Sequence, residues 1–166
     1  MSLTESDVQQ TLADLMKEAI SLRFDSELPH SGAGPLEVLE SLLECRKKAD
    51  RLEGLYYKTL NLKGKLARKA ALDIAEADDQ WASALVQIKN SPIYKGDTFS
   101  GPRERYAEAD LETFEIRRKA RKSKELLSLA EEILDIVKTA LRGLNDTRQD
   151  HLSWIRSLQF QSTLEN

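Results

Sequence analysis

The prolines of this chain leave two long Pro-free stretches, one from Leu36 to Lys89 and one from Arg103 onward. Proline removes a backbone donor and clashes with the preceding turn, so only such stretches can run as long unbroken helices. In the first, Val38, Leu42, Cys45, Ala49, Leu52 and Tyr56 recur at alternating spacings of four and three. That rhythm places them on one helix face. It slips near "LNLKGK", where Gly64 weakens a helix, and resumes with Leu66, Ala70, Ile74, Ala77, Trp81, Ala84 and Ile88. The expectation is one long helix with a phase shift, or two helices meeting near residue 62. In the second stretch Ile116, Ala120, Ser123, Leu127, Ala130, Leu134, Val137, Leu141 and Leu144 keep the alternation without a slip. Arg148 and His151 interrupt that seam before Ile155 and Leu158 resume it, either fixing register within a helical seam or marking where the core ends.

An amphipathic segment precedes these. Thr4 suits an N-cap with Asp7 three residues on, and Val8, Leu12, Leu15, Ala19 and Leu22 share one face. "DSELPHSGAGP" then breaks the chain, with Pro35 suited to the first turn of the next helix. The chain therefore reads as a single all-α domain over 1–166: a helix at 4–23, a long helix or helix pair at 35–89, a turn at 90–102 and a long helix at 103–158. The two long segments form an antiparallel hairpin with coiled-coil-like seams.

The last helix has a second apolar stripe, Leu126, Leu129, Ile133, Ile136 and Ala140, beside the first. A helix of about fifty residues is roughly 75 Å long, and two of them enclose little volume. One stripe can face the hairpin partner; the other needs a further surface. The expectation is a homo-oligomer assembled through Leu126, Leu127, Ile133, Leu134, Ile136, Val137, Leu141 and Leu144. The alternative cover is the helix at 4–23, folded back.

A formal net charge of −3 conceals a pattern. Residues 1–57 hold six basic and eleven acidic residues, whereas 58–72 hold Lys58, Lys63, Lys65, Arg68 and Lys69 and no acid. "RRKARKSK", 117–124, adds six basic residues, including Arg117, Arg118, Arg121, Lys122 and Lys124. Antiparallel pairing across a turn centred near residue 96 sets Arg68 near Lys124 and Lys69 near Ser123. Two basic runs meeting there would repel, and a bound polyanion would relieve the repulsion. The competing reading is a solvated face, with Glu115 reaching Arg118 and Lys119, and Glu125 reaching Arg121 and Lys122.

The turn "SPIYKGDTFSGPRERY" interleaves Tyr94, Lys95, Phe99, Arg103, Arg105 and Tyr106. Aromatic rings stack on unpaired bases while neighbouring cations neutralise phosphates, a combination suited to single strands. The same rings could instead staple the hairpin end shut.

Other chemistry is not signalled. No Gly-rich phosphate loop has the strand-to-helix context it needs. Two histidines, His30 and His151, argue against a His-based metal or catalytic site, and no motif requires a cofactor. Asp73, Glu76, Asp78 and Asp79 read as a solvated face, Cys45 as core and Trp154 as packing. Nothing has the pattern of an enzyme. A single cysteine, a polar acidic start and the lack of any run of about eighteen apolar residues fit a cytoplasmic protein without a membrane span.

Two blocks, "LYYKTLN" at 55–61 and "GDTFSGPRERY" at 96–106, resemble the UvsY recombination mediators of T-even-like phages. The resemblance is carried by Leu55, Tyr56, Lys58, Leu60, Asn61, Gly96, Asp97, Phe99, Ser100, Arg105 and Tyr106. It implies a ring-like homo-oligomer in the host cytoplasm that binds single-stranded DNA. It further implies loading of a phage recombinase onto strands coated by single-stranded-DNA-binding protein. The expected phosphate contacts are Lys58, Lys63, Lys65, Arg68, Lys69, Lys95, Arg103, Arg105, Arg117, Arg118, Arg121, Lys122 and Lys124, with Tyr94, Phe99 and Tyr106 stacking bases or shaping the turn. The rival expectation is a structural or adaptor coiled-coil protein, a virion or assembly component, whose basic runs meet an acidic protein partner.

Overall fold

The computed structural model describes residues 5–22, 34–91 and 102–164. They form helices only: α1 (Glu5–Ser21), α2 (Pro35–Asn90), α3 (Pro102–Glu112) and α4 (Phe114–Leu164). The chain is all-α, as its periodicity indicates. Thr4 and the turn residues Tyr94, Lys95 and Phe99 lie outside the described residues.

The start of α2 follows from three residues. The Gly34 N–H donates to the Glu37 carboxylate at 3.2 Å, and the Val38 N–H donates back to the Gly34 carbonyl at 3.3 Å. Gly34 is the N-cap, Glu37 satisfies its free donor, and Pro35 sits where a missing N–H costs nothing. The helix then continues through the phase slip near residue 62 without a break. Leu55, Thr59 and Leu62 are buried there and carry the inner face across the slip. The Thr59 hydroxyl donates to the Leu55 carbonyl at 2.9 Å, so its burial leaves no polar group unsatisfied. Gly64 stays helical, with nothing within 4 Å of where a Cβ would stand.

The chain divides into two compact units, and α2 and α4 each supply a segment to both. The first comprises Met1–Asn61 with Ala130–Asn166. Here α1 buries Val8, Leu12, Leu15 and Ala19, α2 buries Val38, Cys45, Leu52 and Leu55, and α4 buries Ile133, Leu134, Val137 and Leu144. Burial pushes the Cys45 thiol pKa up, as suits a core residue. Three apolar faces closing on one another provide the third surface that a two-helix hairpin lacks. Of the eight residues expected at a subunit interface, Leu126, Ile133, Leu134, Val137 and Leu144 are buried within the single chain. Leu127, Ile136 and Leu141 are half-buried. Most of the 126–144 stripe is thus covered within the chain, as the alternative of a folded-back first helix expects, and α1 lies in this unit with its apolar face covered.

His151 corrects a second expectation. Rather than interrupting the seam, Thr147 and His151 continue it, and only Arg148 is exposed. His151 Nδ1 lies 2.6 Å from the Thr147 carbonyl and Nε2 lies 3.0 Å from the Ser41 hydroxyl. A carbonyl only accepts, so Nδ1 carries the proton, and in the neutral ring Nε2 accepts from Ser41. A polar residue can occupy this core position because both ring nitrogens are satisfied.

The second unit is Leu62–Leu129. Alanines at 70, 77, 84, 109 and 120 are buried in it, and such small side chains let helix backbones approach closely. Ala84, Ile88 and Ala109 form a core cluster on which Trp81 and Leu85 pack. Contacts from α2 to α3 and α4 run antiparallel: Asp73 and Glu76 meet Lys119, whereas Trp81 meets Asp110. Asp73 is buried, whereas Ile74, placed on the seam by periodicity, is 39% exposed.

Candidate nucleic-acid interface

Thr113 separates α3 from α4. Its side chain is buried, and its hydroxyl donates at 2.7 Å to the Ala109 carbonyl, which also accepts the Thr113 N–H at 3.1 Å. The break is confined to this one residue, since the Arg117 N–H donates to the Thr113 carbonyl at 3.0 Å. A groove opens beside this junction. Leu111 and Phe114 line it and are 77% and 53% exposed. Arg117, Arg118, Arg121 and Lys122 also line it, against two carboxylates, Asp110 and Glu125. The groove thus joins apolar and aromatic surface to an excess of positive charge.

Not all of that charge is available. Arg117 Nη1 donates to Asp110, whose same Oδ1 accepts the Trp81 indole N–H at 2.9 Å. Arg118 lies 3.9 Å from Glu115, a loose and exposed pair worth little. For Arg121 and Lys124 no ion pair is present among the described residues, so the reach from Glu125 to Arg121 expected from spacing is not made.

Lys119 belongs to a different cluster. Its ammonium is 3.0 Å from Asp73 and 3.3 Å from Glu76, while the buried Ser123 hydroxyl donates to Asp73. Burial alone would push the Asp73 pKa up. The Ser123 and Lys119 hydrogen bonds, with the charges of Lys119 and Lys69, outweigh it and hold the carboxyl below its ordinary range. The Asp73 and Glu76 hydrogen bonds correspondingly raise the Lys119 pKa. Asp73 and Glu76, expected on a solvated face with Asp78 and Asp79, instead fasten α2 to α4.

Both basic runs have members in the second unit, with acids of α2 among them. Lys69 stands near Asp73 and Lys119, on the side where carboxylates intervene. Arg117, Arg121 and Lys124 border another side, beside Ile74, Ala77 and Asp78 of α2. Lys65 and Arg68 are exposed on α2 and Lys63 is half-buried, while Lys58 is exposed in the first unit. In α3, Arg103 is exposed and Arg105 half-buried, and Tyr106 stacks on Trp81 rather than standing free. The antiparallel direction expected from the sequence is found in the Asp73–Lys119 and Trp81–Asp110 contacts, and Asp73 and Glu76 of α2 neutralise Lys119 within the second run.

Leu111, Phe114, Asp110 and Thr113 are absent from the residues expected at the site. Phe114 carried a usable signal, an aromatic residue three positions before a basic run; the helix break at Thr113 carried none. Among the described residues no group of His, Cys, Asp or Glu could hold a metal ion, and no helix is long and apolar enough to cross a membrane. Comparisons of the chain with protein-family profiles, with curated proteins and with solved structures returned no match.

Proposed function

We propose that this chain is a recombination mediator, without catalytic activity of its own, that binds single-stranded DNA and helps load a phage recombinase onto it. The observation that carries the reading is the α3–α4 groove, where exposed Phe114 and Leu111 stand beside Arg118, Arg121 and Lys122. An unpaired base can stack on Phe114 while the cations take neighbouring phosphates; duplex bases are already stacked on each other. The resemblance of 55–61 and 96–106 to the UvsY mediators supports the same reading and supplies the loading step. That step consists of holding the strand in a conformation that the recombinase prefers and the coat protein does not. Self-association, also implied by the resemblance, would have to use surfaces other than the 126–144 stripe.

The loading step is tested by following recombinase assembly on an oligonucleotide pre-coated with single-stranded-DNA-binding protein. The chain should shorten the lag, and Phe114→Ala with Arg121→Glu should not. An unchanged lag despite intact DNA binding would refute mediation. A second reading, an adaptor, draws on Leu36, Leu39 and Leu43, which are exposed at helical spacing along α2 among Glu37, Glu40 and Glu44. It predicts that the lag is unchanged and that nucleic acid does not bind.

A further inference from the structure

Trp81 of α2 and Tyr106 of α3 stack with ring centroids 5.8 Å apart and planes 9° from parallel. The pair is layered outward from the core. Trp81 is partly buried and packs on Ala84, Ile88 and Ala109. Its indole edge is fixed by the 2.9 Å hydrogen bond to Asp110, a residue that also lines the groove. Tyr106 lies outside it and is 49% exposed although Trp81 covers one of its ring faces. At that separation the near-parallel rings are offset, so ring surface of Tyr106 remains within reach of a ligand.

We propose that the Trp81–Tyr106 pair is a preformed stacking subsite for one unpaired base, with Asp110 as its positioning residue. The proposal rests on the single-strand reading above and adds a second base contact to the one at Phe114. A staple for the hairpin end would be served best by a fully buried Tyr106; half-exposed ring surface beside a fixed indole is what a further stacked ring requires. Because Trp81 is held by packing and by Asp110, little ordering remains to be done when a base arrives. Asp110 also occupies Arg117, so phosphate contact falls to Arg118 and Arg121 along the same groove. Asp110 acts through Trp81 and touches no base itself.

The chain has two tryptophans, so a Trp154→Phe background leaves Trp81 as the sole indole reporter. Oligo(dT) and an abasic oligonucleotide of equal length are titrated while anisotropy and Trp81 fluorescence are recorded together. Oligo(dT) should change Trp81 emission in step with anisotropy, whereas the abasic strand should bind without changing it. Tyr106→Leu should weaken oligo(dT) binding by roughly 5- to 150-fold, the range for one stacked base, and leave abasic binding unaltered. Tyr106→Phe should restore both affinity and the emission change. Asp110→Asn, which keeps an acceptor for Trp81, should retain the emission change that Asp110→Ala loses. Identical Trp81 emission with the two strands, or equal losses on both in Tyr106→Leu, would overturn the subsite while leaving single-strand binding intact. Absence of binding to either strand would overturn both.

Discussion

Replacing Asp73 should loosen α2 from α4 in the second unit, and the structure fixes the size and the pH dependence of the effect. The Asp73 side chain is 7% exposed and accepts from the Ser123 hydroxyl and from Lys119 at 3.0 Å. Hydrogen bonds to a charged group contribute about 1.5–3 kcal/mol, and a buried hydroxyl left without its partner costs about 1–3 kcal/mol. Lys119 keeps Glu76 and is half-exposed, so its share is small. Asp73→Ala should therefore destabilise by about 2–4 kcal/mol, and Asp73→Asn, which still accepts from Ser123, by less. The sign with pH follows from the lowered carboxyl pKa. Stability from the ionised Asp73 is fully present above the ordinary value of 3.8 and is lost as pH falls through the lower folded value. Urea unfolding followed by circular dichroism, and by Trp81 fluorescence in the Trp154→Phe background, at neutral pH and below pH 4, measures both effects. The Asp73→Asn chain should lack part of the acid-induced loss seen in the parent. A neutral-pH change below about 0.5 kcal/mol for Asp73→Ala would refute the reasoning, since surface substitutions do no more. So would an unaltered acid dependence in Asp73→Asn.

Three further outcomes follow from packing. Leu12 is 0% exposed, so Leu12→Ala should cost about 2–5 kcal/mol in urea unfolding; a change near zero would mean that α1 does not help form the core. Ser41→Ala removes the donor to His151 Nε2 and should destabilise by about 1–3 kcal/mol, checked by thermal melts of parent and variant. Gly64→Ala meets no neighbour and lies within α2, so it should stabilise by about 0.5–1 kcal/mol; destabilisation would mean that the helix is not continuous there.

The helices were largely legible in the sequence because the relevant signal is local. Spacings of three and four identify Val8, Leu12, Leu15 and Ala19, and all four are buried. The choice between one and two helices across residue 62 was not legible, because Leu55, Thr59 and Leu62 fit either outcome. Nor does periodicity say which surface covers a stripe, so the arc at 126–144 suggested a second subunit where the chain supplies its own helices. Asp73 sits in an acidic stretch that looks solvated, and its partners Lys119 and Ser123 stand about fifty positions away. Only the fold brings them together. The site was half legible: "RRKARKSK" marked the cations, but its separation into Arg117 held by Asp110 and Lys119 held by Asp73 depends on tertiary register. Thr113 is compatible with an unbroken helix in any sequence window, so the break beside Phe114 left no trace.

The central claim, that the α3–α4 groove binds single-stranded DNA, is tested most directly by fluorescence anisotropy with a labelled single strand over a salt series, beside a duplex control. Binding should favour the single strand, and its logarithm should fall linearly with the logarithm of salt concentration. Arg118→Gln with Arg121→Gln should flatten that slope by about 1.4, from two contacts at about 0.7 each. Equal affinity for duplex, a slope unmoved by the double substitution, or no binding at low salt by folded protein would contradict the account.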